Sequence, residues 1–147
     1  MKKILLTLFV FLAVNLSFAQ QETIPEFDVP EAVRATFKSL YPNIKNYDVD
    51  WGKVGECYEA GFMNKEVETF AIIFPKGELK EIEVSILPMS LPKAAADYIT
   101  SKLSPLPISE AWKTTDTKGV VTYGVNVEEI YYFFDAKGKM FKKEESE

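Results

Sequence analysis

An internal repeat is the feature that most constrains the fold of this 147-residue chain. The segment "DVPEAVRATFKSLYP", residues 28–42, aligns with "SLPKAAADYITSKLSP", residues 90–105, at an offset of 62 residues up to Leu103. Each segment has a proline near its start, apolar residues at helical spacing and a proline at its end. Asp28 and Ser90 stand where an N-cap side chain accepts a backbone N–H, and Asp28 and Glu31 have capping-box spacing. The pattern predicts two short helices, over about 30–41 and 92–103.

After each helix the apolar period changes to the alternation that is typical of half-buried strands. The first half contains "NYDVDW", "CYEAGF", "VETFAIIF" and "LKEIEVSI", and the second contains "EAWKT", "VVTYGVNV", "EIYYFF" and "KMFKK". Turns are predicted at residues 75–77 and 136–138, each of which ends in glycine. We therefore predict an α+β fold in which two α-β-β-β(-β) repeats, about 28–88 and 90–143, share one antiparallel sheet with both helices packed on one face.

The alternation also assigns side chains to the two faces of the sheet. The side chains that are more consistently large and apolar are predicted to face the helices. They are Phe70, Ile72 and Phe74 in the first half, which align with Ile130, Tyr132 and Phe134 in the second. The opposite face would then carry Thr69, Ala71 and Ile73, matched with Glu129, Tyr131 and Phe133.

Since the two predicted helices cover one face, the other face is predicted to be open. Aromatic side chains among polar neighbours are typical of a protein-binding surface. The candidate partner-binding residues are Ile73, Tyr131, Phe133, Thr69 and Glu129. The alternative is a sheet face that loops or the acidic C-terminal tail partly cover.

Residues 1–19 have the features of a signal peptide. Lys2 and Lys3 precede an apolar run over residues 4–14, and Ser17 and Ala19 provide the small residues of a cleavage site. The apolar run is shorter than the roughly 20 residues that cross a bilayer. We therefore predict cleavage after Ala19, a single domain over residues 20–147, and a periplasmic or secreted location without membrane insertion.

Composition excludes several classes of function. Removal of Lys2 and Lys3 reduces the basic residues from 17 to 15 against 22 acidic residues, which leaves a net charge of −7. Nucleic acids and anionic lipids would repel such a chain. The absence of histidine and the single cysteine, Cys57, exclude intramolecular disulfides, histidine-ligated zinc, Ser-His-Asp triads and Cys-His pairs. Cys57 is predicted to pack on a sheet face, with an exposed thiol that pairs between chains as the alternative.

The acidic residues do not form a recognisable metal or catalytic motif. Asp48, Asp50 and Asp135 favour a calcium-responsive or small-ligand protein only weakly, because they do not complete a calcium-binding loop. Glu59 with Asp50 or Glu129 is a candidate carboxylate pair, but such pairs are common in a chain with 22 acids. We therefore predict no cofactor, no metal site and no catalytic residue.

The pattern "VPEAVRATFKSLYPNIKNYDVDW", "CYEAGF" and "FPKGELKEIEV", repeated more loosely from residue 91, resembles the PepSY-like family of secreted bacterial proteins with a beta-lactamase-inhibitor-like fold. The resemblance extends over residues 29–143 and departs from the family pattern at "SPLPISEAW". It implies two alpha-beta repeats in one antiparallel sheet, a periplasmic or secreted location and no known enzymatic activity. The expected function is a non-enzymatic protein-binding or inhibitor-like module that acts through the open face on another periplasmic or secreted protein. A small-ligand or calcium-responsive periplasmic protein is the alternative.

Overall fold

The computed structural model describes residues 22–145 and shows two helices and a nine-stranded sheet. The predicted signal peptide and its cleavage site lie outside these residues. The helices are α1 (Glu31–Leu40) and α2 (Lys93–Lys102). The strands are β1 (Glu22–Thr23), β2 (Val49–Val54), β3 (Cys57–Asn64), β4 (Val67–Ile73), β5 (Leu79–Ser85), β6 (Ile108–Asp116), β7 (Val121–Val127), β8 (Ile130–Asp135) and β9 (Met140–Glu145).

The strands form a single antiparallel sheet in which each strand pairs with the next along the chain, from β1 to β9. Strands β2–β5 follow α1 and strands β6–β9 follow α2, so the two halves join through the β5–β6 pair. The predicted α+β fold with one continuous antiparallel sheet is confirmed. Within residues 22–145, neither helix is long and apolar enough to cross a bilayer.

The two helices begin at prolines rather than at the predicted capping residues. Pro30 and Pro92 occupy the N-cap positions, and neither helix has a side-chain cap hydrogen bond. Asp28 and Ser90 instead end two short 3₁₀ turns, Glu26–Asp28 and Pro88–Ser90, that precede the helices. The predicted capping box is therefore wrong. Proline replaces it because its fixed φ starts a helix and it has no N–H that would need a partner.

Each helix covers one half of the same sheet face. Val33 and Phe37 of α1 pack in a core with Trp51, Ala60, Phe62, Ala71 and Ile73. Ala95 and Ile99 of α2 pack in a second core with Ala111, Val125, Val127, Tyr132 and Phe134.

The strand register connects these two cores across the sheet. Ala71 pairs with Ile82, and Ile82 pairs with Thr115. Directly paired residues share a face, and so do Thr115 and Ala111, which lie four residues apart on one strand. Both helices therefore lie on the same side of the sheet, as predicted.

The turns after β4 and β8 show the true register of the repeat. Gly77 and Gly138 occupy equivalent places there, with φ of 90° and 83°. A Cβ on Gly77 would lie 2.8 Å from the Ala32 carbonyl oxygen, and one on Gly138 would lie 2.7 Å from the Ala95 nitrogen. These glycines are 61 residues apart, whereas the predicted strand match uses an offset of 60. A slip of one residue moves every side chain of a strand to the other face.

The predicted faces are consequently right for β8 and wrong for β4. Tyr132 and Phe134 pack under α2 as predicted. In β4, however, Ala71 and Ile73 pack under α1. The residues predicted to face α1 lie on the opposite side of the sheet: Phe70, Ile72 and Phe74.

Candidate functional site

The candidate site is the open face, defined as the side of the sheet opposite α1 and α2. Two apolar clusters lie on it, one in each half of the chain. The first contains Cys57, Phe70 and Ile72, and the second contains Trp112, Tyr131 and Phe133. Neither cluster belongs to the cores under α1 and α2, and every side chain in them is at most 8 % exposed.

In the second cluster, an aromatic side chain of β6 contacts two aromatic side chains of β8 across β7. The Trp112 ring lies 6.0 Å from the Tyr131 ring and 6.0 Å from the Phe133 ring, both in edge-on arrangements. Gly124 lies between them on β7, and a Cβ there would be 2.1 Å from Trp112 Cζ2. The glycine lets the indole lie flat across β7, which is the close approach that a glycine inside a strand often marks.

The first cluster repeats this arrangement with smaller side chains. Phe70 lies over Gly61, where an added Cβ would be 3.0 Å from Phe70 Cε1. Cys57 is a free cysteine only 2 % exposed, and burial raises the pKa of its thiol. The prediction that Cys57 packs on a sheet face is confirmed.

Five glutamates lie beside and between the two apolar clusters and form what we call the acidic patch. Strand pairing places them on the open face: Glu59, Glu68, Glu81, Glu83 and Glu110. Burial, followed by the charge of Glu68, raises the pKa of Glu59 to about 8. The same two causes raise the pKa of Glu110.

Glu83 lies at the centre of the acidic patch. It is 3 % exposed, and the Thr114 hydroxyl donates to its Oε2 at 3.3 Å. Its Oε1 accepts no hydrogen bond. Burial raises the pKa of Glu83 well above its usual value, and the nearby charges of Glu59 and Glu81 raise it further.

The described cations of the open face lie at its margins. Lys80 occupies a β-bulge in β5 and pairs with Glu81 at 3.4 Å. Lys142 pairs with Glu144 and lies 5.7 Å from the centre of the Phe133 ring.

Two cavities open on the acidic patch. The larger, which we call the Glu68–Glu110 pocket, has a volume of about 410 Å³ and is lined by residues that include Glu68, Ser85, Pro88, Ser109, Glu110 and Trp112. The smaller has a volume of about 190 Å³ and is lined by residues that include Asp48, Asp50, Glu59, Glu68 and Phe70. Glu68 therefore contributes to both cavities.

The five predicted partner-binding residues do not lie together. Tyr131 and Phe133 lie on the open face, but they are 4 % and 2 % exposed and so belong to a packed cluster. Ile73 and Thr69 are buried on the helix face because the register differs by one residue from the predicted one. Glu129 is exposed on the β7–β8 turn with a positive φ of 64°.

The predicted acidic motifs are likewise dispersed. Asp135 caps the β8–β9 turn, where its Oδ1 accepts the backbone N–H groups of Lys137 and Lys139, and the pKa of Asp135 is lowered mainly by the Lys139 hydrogen bond. Asp50 and Glu59 do line one cavity. Within the described part of the chain, no group of three or more acidic or cysteine side chains is arranged to hold a metal ion.

Trp112 and the acidic patch are the features that sequence reasoning missed. Gly124 inside the apolar run "VVTYGVNV" was the available signal, because a glycine in a strand interior marks a close approach. The patch had no comparable signal, since its members come from four strands that only pairing brings together.

No family profile and no curated protein matches the chain. Solved structures do match it. A protein from Bacteroides eggerthii DSM 20697 described as "putative periplasmic" is 16% identical, with a TM-score of 0.70, and the match covers 79% of this chain and 88% of that one. A DUF2874 family protein from Bacteroides uniformis ATCC 8492 is 17% identical, with a TM-score of 0.69 and coverage of 78% and 88%.

A BLIP-like protein from Bacteroides fragilis NCTC 9343 is 18% identical, with a TM-score of 0.62 and coverage of 82% of this chain and 86% of that chain. Similarity at this level of identity establishes the fold. The chain therefore has a BLIP-like, that is beta-lactamase-inhibitor-like, α+β fold.

Proposed function

We propose that this chain is a non-enzymatic periplasmic or secreted protein that binds another protein through its open face. The observation that carries the proposal is Trp112, which lines the larger cavity of the open face and packs edge-on against Tyr131 and Phe133. Tryptophan and tyrosine are among the residue types that contribute most to binding energy at protein interfaces. Ile73 and Thr69 are omitted from the proposed surface because they are buried under α1.

The proposed location and kinship rest on the sequence and on the similar structures. The signal-peptide features of residues 1–19 and the description of the Bacteroides eggerthii protein both favour the periplasm. The sequence pattern over residues 29–143 supports kinship with the PepSY-like family. The BLIP-like fold supports a protein-binding role by analogy, since function depends on sites rather than on folds.

The proposed absence of catalysis rests on the chemistry of the side chains. The chain has no histidine. Its one thiol, on Cys57, is buried with a raised pKa, which disfavours the nucleophilic thiolate. The carboxylate of Asp135 is held by two backbone N–H groups of its own turn.

Site-specific photo-crosslinking tests the proposed binding face. A photoreactive residue is placed at Met63 or Glu129, which are exposed at opposite ends of the open face, in the mature protein added to periplasmic extract of the source organism. Matched controls carry it at Lys38 of α1 or Lys102 of α2, which are exposed on the helix side. We expect one protein to be captured from both open-face positions and from neither helix position.

The captured protein is then purified and titrated against the chain and against Trp112→Leu. We expect the substitution to weaken binding at least about tenfold, as for an aromatic interface anchor. A far-ultraviolet circular dichroism spectrum and a melting curve establish that the variant is folded. Capture from the helix positions alone, or an unchanged affinity of folded Trp112→Leu, would contradict the proposal.

A further inference from the structure

The Glu68–Glu110 pocket places two carboxylates on opposite strands. Glu68 projects from β4 and Glu110 from β6, and the negative charge of Glu68 contributes to the raised pKa of Glu110. The Ser85 hydroxyl donates to Glu68 at 3.0 Å. Within residues 22–145, neither carboxylate forms an ion pair. A positive charge between them would relieve their repulsion at short range.

Glu83 is a second buried group beside the pocket, and one of its oxygens has no hydrogen-bond donor. It lies beside the pocket, two residues along β5 from Ser85, and its Oε1 is enclosed without a hydrogen-bond donor. A buried carboxyl oxygen that lacks a partner is costly. Lys80 pairs with Glu81 and does not pair with Glu83 in the described chain. An N–H donor from another molecule would complete the hydrogen bonding of Glu83 Oε1.

The walls of the pocket favour an organic cation with an apolar stem. Trp112 forms one side, and an indole face attracts a guanidinium or ammonium group. Pro88 lies at the rim and offers apolar surface to methylene groups. A metal ion fits less well, because no set of three acidic side chains in residues 22–145 is arranged to hold one.

We propose that the Glu68–Glu110 pocket receives an arginine side chain of the protein partner, with the guanidinium between the two carboxylates and the methylene stem against Trp112. This inference rests on the proposed function and specifies the chemistry of the partner. Arginine suits the pocket better than lysine because its planar group donates in several directions and stacks on aromatic rings. The net negative charge of the chain complements a basic segment of this kind.

Nuclear magnetic resonance with peptide probes tests the pocket directly. The probe is acetyl-Leu-Arg-Leu-amide, and the matched control peptide replaces arginine by citrulline, which has nearly the same shape without the charge. We expect the arginine peptide to shift the indole N–H signal of Trp112 and the citrulline peptide to leave it in place. Trp51 provides an internal control, because it lies on the helix face of the sheet and the cavity beside it also contains Arg34 and Lys38, which repel a guanidinium.

Substitutions then locate the interaction. The double variant Glu68→Gln and Glu110→Gln should weaken binding of the arginine peptide at least about tenfold, since two charge-assisted hydrogen bonds are lost. The matched control is the double variant Glu56→Gln and Glu128→Gln, which removes two exposed carboxylates elsewhere. Its affinity should equal that of the unmodified protein.

Each other outcome would overturn the inference. Equal shifts from the citrulline peptide would show that the pocket does not recognise charge. Agmatine binding as tightly as the peptide would assign the pocket to a free organic cation instead of a partner side chain. If the crosslinked protein binds the Glu68→Gln, Glu110→Gln variant with unchanged affinity, the arginine inference fails while the protein-binding function stands. If no protein is captured, the proposed function fails, whether or not the arginine peptide binds.

Discussion

The two halves of the sheet use the same repeat but differ in where they place tryptophan. In the first half, Trp51 lies on the helix face, with its ring 5.5 Å from that of Phe37 in α1. In the second half, Trp112 lies on the open face, and Ala111 takes the place under α2. A bulge between Ile108 and Glu110 changes the register of β6 just before this point.

The two halves therefore differ in which face of the sheet carries the largest side chain. The first half buries its largest side chain in the core and covers Gly61 with the smaller Phe70. The second half covers Gly124 with an indole that also lines the larger cavity. A repeated unit can thus keep one copy of a side chain under the helix and place the other on the opposite face of the sheet.

The largest expected effect tests whether the two helix cores are equivalent. Ile73 and Phe134 occupy the same repeat position, and each is 0 % exposed. We expect Ile73→Ala to reduce the free energy of unfolding by about 2 to 5 kcal/mol and Phe134→Ala by about 3 to 5 kcal/mol, because each leaves a core cavity. Urea denaturation measures both values. Met63→Ala, at an exposed site, is the control, and a similar small effect from all three would show that the cores are misassigned.

The second prediction concerns the acidic patch at the join between the halves. Glu59 has a raised pKa of about 8 in the folded protein, so the folded state binds more protons than the unfolded state between about pH 4.5 and pH 8. The free energy of unfolding should therefore decrease as pH rises through this window, by on the order of 3 kcal/mol for Glu59 alone.

Denaturation at pH 5 and at pH 8 measures this dependence. Neighbouring groups act in the same direction, because the pKa values of Glu83 and Glu110 are also raised. Lys80 acts in the opposite direction, because it forms an ion pair with Glu81. Glu59→Gln should flatten the dependence and be the more stable form at pH 8. A free energy of unfolding that increases with pH would contradict the burial of these carboxyl groups.

The third prediction compares the two glycines under the aromatic rings. An added Cβ would lie 2.1 Å from the Trp112 ring at Gly124 but 3.0 Å from the Phe70 ring at Gly61. We expect Gly124→Ala to reduce the free energy of unfolding by about 1 to 3 kcal/mol, because the added Cβ displaces the indole. Gly61→Ala should reduce it by less. Melting curves rank the two variants. The reverse order would show that Trp112 does not lie across β7.

The smallest expected effect concerns the hydrogen bond between α1 and the turn after β4. The Thr36 hydroxyl of α1 donates to the Gly77 carbonyl oxygen at 2.6 Å. The repeat places Tyr98 of α2 at the same position, where its ring lies 5.8 Å from that of Phe134. Thr36→Val should reduce the free energy of unfolding by about 1 kcal/mol, because one hydrogen bond contributes about that much net stability. Equal stability of Thr36→Val and the unmodified protein in urea denaturation would show that this bond contributes nothing measurable.

Local sequence patterns by themselves determined the elements of this protein and their order. Proline positions and helical spacing located α1 and α2 to within one residue at each end, and alternation with glycine turns located the strands of one antiparallel sheet. These features are set by residues close together in the chain, so a repeat of about 60 residues was sufficient to predict the fold.

Only the tertiary structure decided which side chains share a face and which meet across strands. The predicted alignment of β4 with β8 was displaced by one residue. Because side chains in a strand alternate with a period of two, this displacement assigned Ile73 to the open face, whereas it packs under α1. The contact of Trp112 with Phe133, and the approach of Glu68 to Glu110, depend on the pairing register of β4–β8. That register is set by bulges and by packing against the helices, neither of which the local pattern of residues specifies.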